Sequence, residues 1–302
     1  MVVEYHREWC WVVLADGREV VAKPRARLEL ADQPYARQLT VGDSVRVGEP
    51  SPEHYVIEEI HPRETWLLRK NLVSYRNRPQ CVVANADQLA VVVAPRPELN
   101  LAIVDRYFLA AIMGGLAPML IVNKVDLDPA VEHSLEVAAY AKLGYPVCFT
   151  AAKSAQGIEA LRPVLAGKLT AFCGHSGVGK STLLKQLTGR EDITVGHVNV
   201  LTQKGRQTTT TSRIYDLPTG GQVVDTPGVK EFGLHELEWT EVQDYFADIN
   251  ALAQQCAYRD CMHRGEPNCA VVEAVREGTL SPARLESYQR LRDEAREQER
   301  AF

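Results

Sequence analysis

Eight consecutive residues carry the clearest chemical signal in this 302-residue chain, because they match the pattern G-x-x-x-x-G-K-[ST]. An apolar run precedes them and a short helical pattern follows, which is the context in which such a loop holds phosphate. Glycines let backbone N–H groups turn towards a phosphate, and the helix N-terminus adds a favourable potential. We predict that Lys180 contacts the β- and γ-phosphates and that Ser181 ligates Mg²⁺. The predicted phosphate-binding residues are Gly174, His175, Ser176, Gly177, Val178, Gly179, Lys180, Ser181 and Thr182.

A second motif predicts the base that accompanies these phosphates. Asn123-Lys124-Val125-Asp126 follows an apolar run, and open α/β sheets bind ligands at the carboxyl ends of their strands. The Asp126 carboxylate can accept both guanine donors, N1–H and N2–H₂, whereas adenine N1 is an acceptor and would leave a buried charge unpaired. Asn123 is expected to support the loop and approach N7, and the Lys124 stem to lie along the base. The segment expected to offer a backbone N–H to guanine O6 comprises Ala151, Ala152 and Lys153.

Two further stretches are candidates for contact with the terminal phosphate of GTP. In Asp225-Thr226-Pro227-Gly228, we predict that Asp225 holds Mg²⁺ through water and that the Gly228 N–H meets the γ-phosphate. The polar stretch 204–212 contains four consecutive threonines, of which Thr209 is expected to complete the Mg²⁺ shell, with Thr210 as the next choice. The alternative for this stretch is a flexible Thr-rich linker. Together these motifs predict in-line attack of water on the γ-phosphate.

Three of the seven cysteines lie close together beside a histidine, which indicates a metal site. The ligand candidates are Cys256, Cys261, His263 and Cys269, all within fourteen residues. Three thiolates and one imidazole make a closed tetrahedral set that suits a structural Zn²⁺. The spacing is not the common C-x₂-C, so free buried thiols are the alternative. Because this cluster follows the Asp225 motif, we expect the GTP and GDP forms to differ in how the surrounding subdomain sits.

Strand and helix patterns divide the chain into three predicted domains. Residues 1–75 contain short strand-like runs that predict a small closed OB-type β-barrel. Those runs are 9–14, 20–22, 45–47, 55–57 and 65–68. Residues 76–235 alternate buried strands with helices, which predicts an α/β GTPase domain with a parallel sheet covered on both faces. Residues 236–302 are expected to form a zinc-binding helical domain, whose tail from 281 has the Arg/Glu alternation of a solvated helix or mobile end.

Charge and hydropathy limit the partners that can be expected. The chain has 34 basic and 39 acidic residues, so its net charge of −5 argues against binding nucleic acid by bulk positive charge, though not by a local basic face. No run of eighteen apolar residues occurs and the first residues lack a signal-peptide core, so we expect a cytoplasmic protein without a membrane partner. The four isolated cysteines are then not expected to form disulfides.

The order of the motifs is unusual, because the base motif precedes the phosphate loop. Ras-like GTPases have the opposite order, so the sheet is expected to be circularly permuted. This order, the preceding barrel and the Cys-rich end resemble the circularly permuted small ribosomal subunit biogenesis GTPases of the RsgA family. The other motifs that carry the resemblance are Ala84-Asn85-Ala86-Asp87-Gln88, Asp105-Arg106-Tyr107, the Gly205-Arg206 pair before the threonines, and the stretch 225–233. The Cys/His cluster also matches the family pattern.

The resemblance implies GTP hydrolysis stimulated by the small ribosomal subunit during its late maturation. It also implies that a monomer contacts rRNA through the barrel and the zinc domain. Family members often carry a histidine that positions the attacking water, where this chain has Gln207. A glutamine can orient water by hydrogen bonds but cannot accept a proton at neutral pH. The expected catalytic residues are Lys180, Gln207, Thr209 and Gly228.

Two alternatives remain open from the sequence. One is an rRNA-binding module in which the nucleotide is a structural or regulatory ligand and is barely hydrolysed. The other is a P-loop ATPase or kinase that acts on a small molecule.

Overall fold

The computed structural model describes residues 1–6, 8–25, 28, 39–69, 79–96, 99–193, 212–226 and 237–300, and the structural statements below concern those residues. They form an N-terminal barrel, a central sheet with helices on both faces, and a helical C-terminal unit. None of the described helices has the length and apolar character needed to cross a membrane.

Five strands build the N-terminal barrel. They are β1 (Val2–Tyr5), β2 (Cys10–Val13), β3 (Glu19–Pro24), β4 (Val45–Ser51) and β5 (His54–Ile60). Their order is β1-β2-β3-β5-β4, and only the β3–β5 pair is parallel. The Val2 amide donates to Asp43 O (2.9 Å) and the Gly42 amide donates to Val2 O (2.8 Å), so the chain just before β4 closes onto β1. This closure gives the small OB-type barrel.

The barrel uses a different set of strands from the one that the sequence pattern predicts. Its first strand, Val2–Tyr5, is not among the five predicted runs, because Glu4 interrupts the apolar residues of this short strand. The predicted run 65–68 instead falls in β6 (Trp66–Arg69), which pairs with β7 (Gln80–Ala84) outside the barrel. Leu67 and Val83 are buried in the core of the central domain, and that burial decides the pairing. The predicted domain boundaries at 75/76 and 235/236 lie outside the described residues and stay predictions.

The central domain alternates strands and helices as predicted. Its elements are β8 (Gln88–Val93), α1 (Leu101–Met113), β9 (Ala117–Asn123), α2 (Leu135–Lys142), β10 (Val147–Thr150), α3 (Ile158–Leu165), β11 (Leu169–Cys173), α4 (Lys180–Thr188), β12 (Ile214–Asp216) and β13 (Gln222–Asp225). The sheet order is β10-β9-β8-β11-β13-β12, with β12 antiparallel at one edge and the other strands parallel. Every residue of β8 is buried, as a central parallel strand requires.

Helices cover both faces of this sheet. Successive residues of β8 face opposite sides of the sheet, so Val91 and Val92 belong to two different cores. The first core includes apolar residues of α1 and α2, and the second includes those of α3 and α4. The doubly covered parallel sheet is therefore confirmed.

The C-terminal unit contains α5 (Ala247–Ala253), α6 (Ala270–Arg276) and α7 (Pro282–Arg300) around a third core. The predicted helix in the tail from 281 is present, but it is not fully solvated, because α7 packs along α1. Its buried apolar residues, Leu285, Tyr288, Leu291 and Ala295, recur at helical spacing. They form a narrow stripe among the charged residues, and Leu109 of α1 lies in the same core.

Candidate nucleotide and metal sites

The predicted nucleotide motifs meet at the carboxyl edge of the central sheet. Asn123 ends β9 and lies in register with Thr150 at the end of β10. Cys173 ends β11 just before the phosphate loop, and Asp225 ends β13 in register with Phe172. Parallel strands bring their carboxyl ends to one edge, so the base motif, the phosphate loop and the Asp225 motif share that edge.

Asn123 joins three loops at this edge through one buried amide. Its Nδ2 donates to Val178 O in the phosphate loop (2.8 Å). Its Oδ1 accepts from Thr150 Oγ1 and from the Ala152 amide, both at 3.0 Å. Asn123 is 1% exposed, so these bonds are shielded from water. The approach is close enough to require glycine at 179, where φ is 94° and a Cβ would lie 2.4 Å from Asn123 Nδ2.

The conformation of the phosphate loop depends on its glycines and on hydrogen bonds from its lysine to loop carbonyls. Lys180 Nζ donates to Gly174 O (2.6 Å) and to His175 O (3.0 Å). Gly174 has φ 144°, and a Cβ there would lie 2.2 Å from Val92 O. The loop residues 175–177 are exposed, so a ligand can reach their backbone. Burial lowers the pKa of Lys180, and the nearby Asp225 carboxylate opposes that shift.

Asp225, which ends β13, is a buried carboxylate close to the Lys180 ammonium. It is 7% exposed, and neither of its oxygens has a hydrogen-bond partner among the described residues. Desolvation raises its pKa to about 6, while the Lys180 charge opposes the rise. Carboxylate and hydroxyl oxygens, such as those of Asp225 and of Ser181 at the start of α4, are the ligands that Mg²⁺ prefers. The residues present therefore fit a magnesium site.

The other predicted nucleotide residues differ in exposure and in the hydrogen bonds that they already form. Asp126 is exposed on the 3₁₀ turn Val125–Leu127, and Lys124 precedes it in a left-handed conformation with φ 61°. The Lys124 ammonium donates to Gly177 O. Of the amides expected near guanine O6, that of Ala151 donates to Gln156 O (3.0 Å) and that of Ala152 to Asn123, so both already have acceptors. The predicted residues Gln207, Thr209, Thr210 and Gly228 lie outside the described residues.

The four predicted zinc ligands converge. One ligand atom from each of Cys256, Cys261, His263 and Cys269 lies within 4.8 Å of the others. His263 Nδ1 is 3.4 Å from Cys269 Sγ and 3.6 Å from Cys256 Sγ, and those two sulfurs are 3.9 Å apart. Tetrahedral Zn–S and Zn–N bonds imply separations of about 3.6 Å between nitrogen and sulfur and about 3.8 Å between sulfurs. The donor set therefore fits Zn²⁺ in both chemistry and spacing.

Two motifs of the family resemblance hold domains together instead of contributing to the nucleotide edge. Asn85, before β8, accepts from the Glu64 amide (2.8 Å) and donates to Gly42 O (2.9 Å), which ties the barrel to the central sheet. Asp105 of α1 is 3% exposed, accepts from Tyr140 (2.6 Å) and pairs with Arg284 of α7. The sequence pattern does not reveal these partners, because they lie far away along the chain.

A parallel sheet with a phosphate loop against an N-K-x-D motif, in swapped order, defines the class of circularly permuted GTPases. The family model for the RsgA GTPase matches residues 60–235, and the chain belongs to the RsgA GTPase family. It is therefore a GTP hydrolase that binds guanine nucleotide.

Relatives match over most of the chain. The small ribosomal subunit biogenesis GTPase RsgA of Haemophilus influenzae is 37% identical over 260 residues, which cover 84% of this chain and 74% of the relative. That of Gemmatimonas aurantiaca is 38% identical over 289 residues, or 94% of this chain and 93% of the relative.

Solved structures agree in fold. YjeQ from Thermotoga maritima superimposes with a TM-score of 0.73 at 29% identity, covering 98% of this chain and 97% of YjeQ. YloQ, described as a circularly permuted GTPase, has a TM-score of 0.68 at 24% identity, covering 98% of this chain and 94% of YloQ, and supports the fold alone.

Proposed function

We propose that this GTPase acts in late maturation of the small (30S) ribosomal subunit and that the subunit stimulates its GTP hydrolysis. The observation that carries the proposal is coverage: the RsgA of Gemmatimonas aurantiaca aligns with 94% of this chain, so the likeness includes the barrel and the metal cluster besides the GTPase domain. Membership in a family of GTPases disfavours the alternative of an rRNA-binding module with little hydrolysis.

For guanine binding, the proposal gives each nucleotide residue one task. Asp126 accepts the two guanine donors, while Asn123 holds the base loop against the phosphate loop. Lys180 exchanges its loop carbonyl partners for phosphate oxygens. The amide left to face guanine O6 is that of Lys153, since the amides of Ala151 and Ala152 already donate elsewhere.

The hydrolytic step depends on side chains around the terminal phosphate. Ser181 and Thr209 would ligate Mg²⁺ directly and Asp225 through water, and the bound ion supplies neutralisation of the charge on the β- and γ-phosphates. The Gly228 amide donates to the γ-phosphate, and Gln207 orients the attacking water by hydrogen bonds. Because Gln207 cannot serve as a base, intrinsic turnover is slow and depends on a stimulating partner.

The flanking domains supply the partner surfaces in this proposal. The barrel (1–75) and the helical domain (236–302), with one structural Zn²⁺ on its Cys/His cluster, contact rRNA on either side of the GTPase domain (76–235). The net charge is −5, so these contacts are local and weaken steeply with salt. The protein works as a monomer in the cytoplasm, where the subunit matures.

The test is the GTPase rate of the full chain with purified 30S, 50S and 70S particles. We expect stimulation by 30S particles and little by 50S particles. The Lys180→Ala variant serves as the control, because stimulated hydrolysis that survives in it comes from a contaminant. Equal rates with and without 30S particles would overturn the proposal. Competition of ATP against labelled GTP separately tests the choice of base.

A further inference from the structure

The imidazole of His263 forms a hydrogen bond, on the side away from the cysteines, with a side chain outside the predicted ligand set. His263 is 1% exposed, and its Nδ1 faces the sulfurs of Cys256 and Cys269. Its other nitrogen, Nε2, lies 3.2 Å from Gln243 Oε1. An amide oxygen can only accept, so this contact requires a proton on Nε2 and leaves the Nδ1 lone pair for a metal ion.

The orientation of the Gln243 amide is determined by a chain of hydrogen bonds that begins at a carboxylate. Asp244 Oδ1 accepts from Asn250 Nδ2 (3.4 Å), which turns Asn250 Oδ1 towards Gln243. Gln243 Nε2 then donates to Asn250 Oδ1 (3.1 Å), which turns Gln243 Oε1 towards His263. Since a carboxylate can only accept, every bond between Asp244 and His263 has a defined direction.

A second chain reaches Gln243 from α7 and begins at a guanidinium. Arg292 Nη1 donates to the Tyr288 hydroxyl oxygen (2.9 Å), and that hydroxyl in turn donates to Gln243 Oε1 (3.4 Å). Arg292 also lies 4.8 Å from the centroid of the Trp239 ring, which helps to hold its position. Both chains therefore make Gln243 Oε1 the hydrogen-bond acceptor, and both favour the tautomer of His263 that carries its proton on Nε2.

We propose that Gln243 is a positioning residue of the metal site, which holds His263 in the tautomer and orientation that present Nδ1 to Zn²⁺ and so raises the metal affinity. The inference rests on the zinc site of the proposed function. Hydrogen-bond partners of metal-bound imidazoles commonly change metal affinity by about 10–100-fold. Gln243 lies in the 3₁₀ helix Glu241–Tyr245, so the metal site is tied to that helix, to α5 and to α7 together.

The experiment compares metal affinities of the full-length chain and its variants. Co²⁺ titration followed by absorbance, and Zn²⁺ competition against a chelator of known affinity, give the dissociation constants. We expect Gln243→Leu to weaken binding about tenfold or more, because it keeps the bulk and removes the acceptor. Gln243→Glu keeps an acceptor for His263 Nε2 but loses the donor to Asn250 Oδ1, so we expect its affinity to lie between those of Gln243→Leu and the unaltered chain. The matched control is Gln254→Leu, the same change at an exposed glutamine just after α5.

The outcomes separate this inference from the zinc site itself. If the unaltered chain fails to bind one equivalent of metal, the zinc site and the inference both fall. If it binds but Gln243→Leu binds equally well, or Gln243→Glu is as weak as Gln243→Leu, only the positioning role falls. Helical circular dichroism at saturating Co²⁺ shows whether Gln243→Leu is folded. Tyr288→Phe removes one donor to Gln243 and is expected to give a smaller loss than Gln243→Leu, so an unchanged affinity there would contradict the α7 chain.

Discussion

At the scale of single residues, the nucleotide edge depends on buried polar groups that satisfy one another. Asn123 is the clearest case, because the base motif predicts contact with the nucleotide whereas its amide is largely used within the protein. Replacing it by alanine would leave the Thr150 hydroxyl, which is 0% exposed, without its acceptor. Such residues act on the ligand by holding loops at the correct distance.

We therefore predict that Asn123→Ala weakens GDP binding by about 2 kcal/mol, or roughly thirtyfold in Kd. The cause is loss of the links from β9 to Val178 and Ala152, which position the phosphate and base loops. Titration with a fluorescent GDP analogue measures the effect. As a control, Asn100→Ala removes a helix N-cap on α1 and should leave Kd unchanged. An unaltered Kd for Asn123→Ala would mean that other contacts hold the loops.

Asp225→Asn is predicted to stabilise the metal-free protein at neutral pH, by about 3 kcal/mol. Desolvation raises the pKa of Asp225 to about 6, above its unfolded value, so the buried carboxyl favours folding at low pH and loses that contribution as pH rises from about 4 to 6. The asparagine side chain is neutral throughout this pH range, so the variant does not lose stability in this way. Urea unfolding in chelator at pH 8 and pH 4 should show a gain at pH 8 that vanishes at pH 4. A gain of equal size at both pH values would contradict this account, and weaker Mg²⁺-dependent GTP binding by the variant would agree with it.

At the scale of elements, α1 is the link between the sheet and the C-terminal unit. Arg284 of α7 pairs with Asp105 of α1 and with Asp248 of α5, and its side chain is 10% exposed. Arg106 of α1 pairs with Glu294 of α7. Because α1 also packs on β8 and β9, a displacement of α7 would change the packing of α1 against β9, the strand that ends at Asn123.

Arg284→Met is predicted to destabilise the protein by about 3–5 kcal/mol, because it leaves the buried Asp105 charge without its cation. The double variant with Asp105→Leu should recover part of that loss, since it removes the unpaired charge as well. Urea unfolding measures both. Arg276→Met is the control, because Arg276 forms an exposed pair with Glu273 and should cost less than about 1 kcal/mol. A double variant less stable than Arg284→Met would contradict the pairing argument.

Local sequence patterns predict the central elements better than their partners. The strand Leu169–Cys173 agrees with its apolar run residue for residue, because a continuous buried run can only be accommodated inside a sheet. The run 65–68 is wrongly predicted to be a barrel strand, since a run of four residues does not by itself specify a pairing partner. The α7 stripe was hidden by its charged neighbours, and Gln243 carries no signal because its contacts are tertiary.

At the scale of the whole molecule, the domains meet through apolar as well as polar contacts, because Val3 and Val41 of the barrel lie in a core of the central sheet and Leu109 of α1 lies in the core of the C-terminal unit. Asn85 ties the barrel to the sheet. Arg213, which directly precedes β12, pairs with Glu4 and Glu19 of the barrel. Arg284 ties the sheet to the metal-bearing unit. A rigid-body change between nucleotide states would therefore shift shared apolar contacts as well as these hydrogen bonds and ion pairs.

The metal-bearing unit is predicted to respond to the γ-phosphate, because it follows the Asp225 motif in the chain. Trp239 stands at its start and packs against Arg292 and Arg296 of α7, so a change in the preceding segment reaches α7 directly. We expect slower amide hydrogen exchange across 237–276 with a non-hydrolysable GTP analogue than with GDP, at saturating Zn²⁺. Exchange in β10 should be the same in both states, because three strands separate β10 from β13 in the sheet. The Lys180→Ala variant, which should bind nucleotide weakly, is expected to show no difference at 237–276. Equal exchange in both states of the unaltered chain would mean that the contacts between the domains do not transmit the nucleotide state.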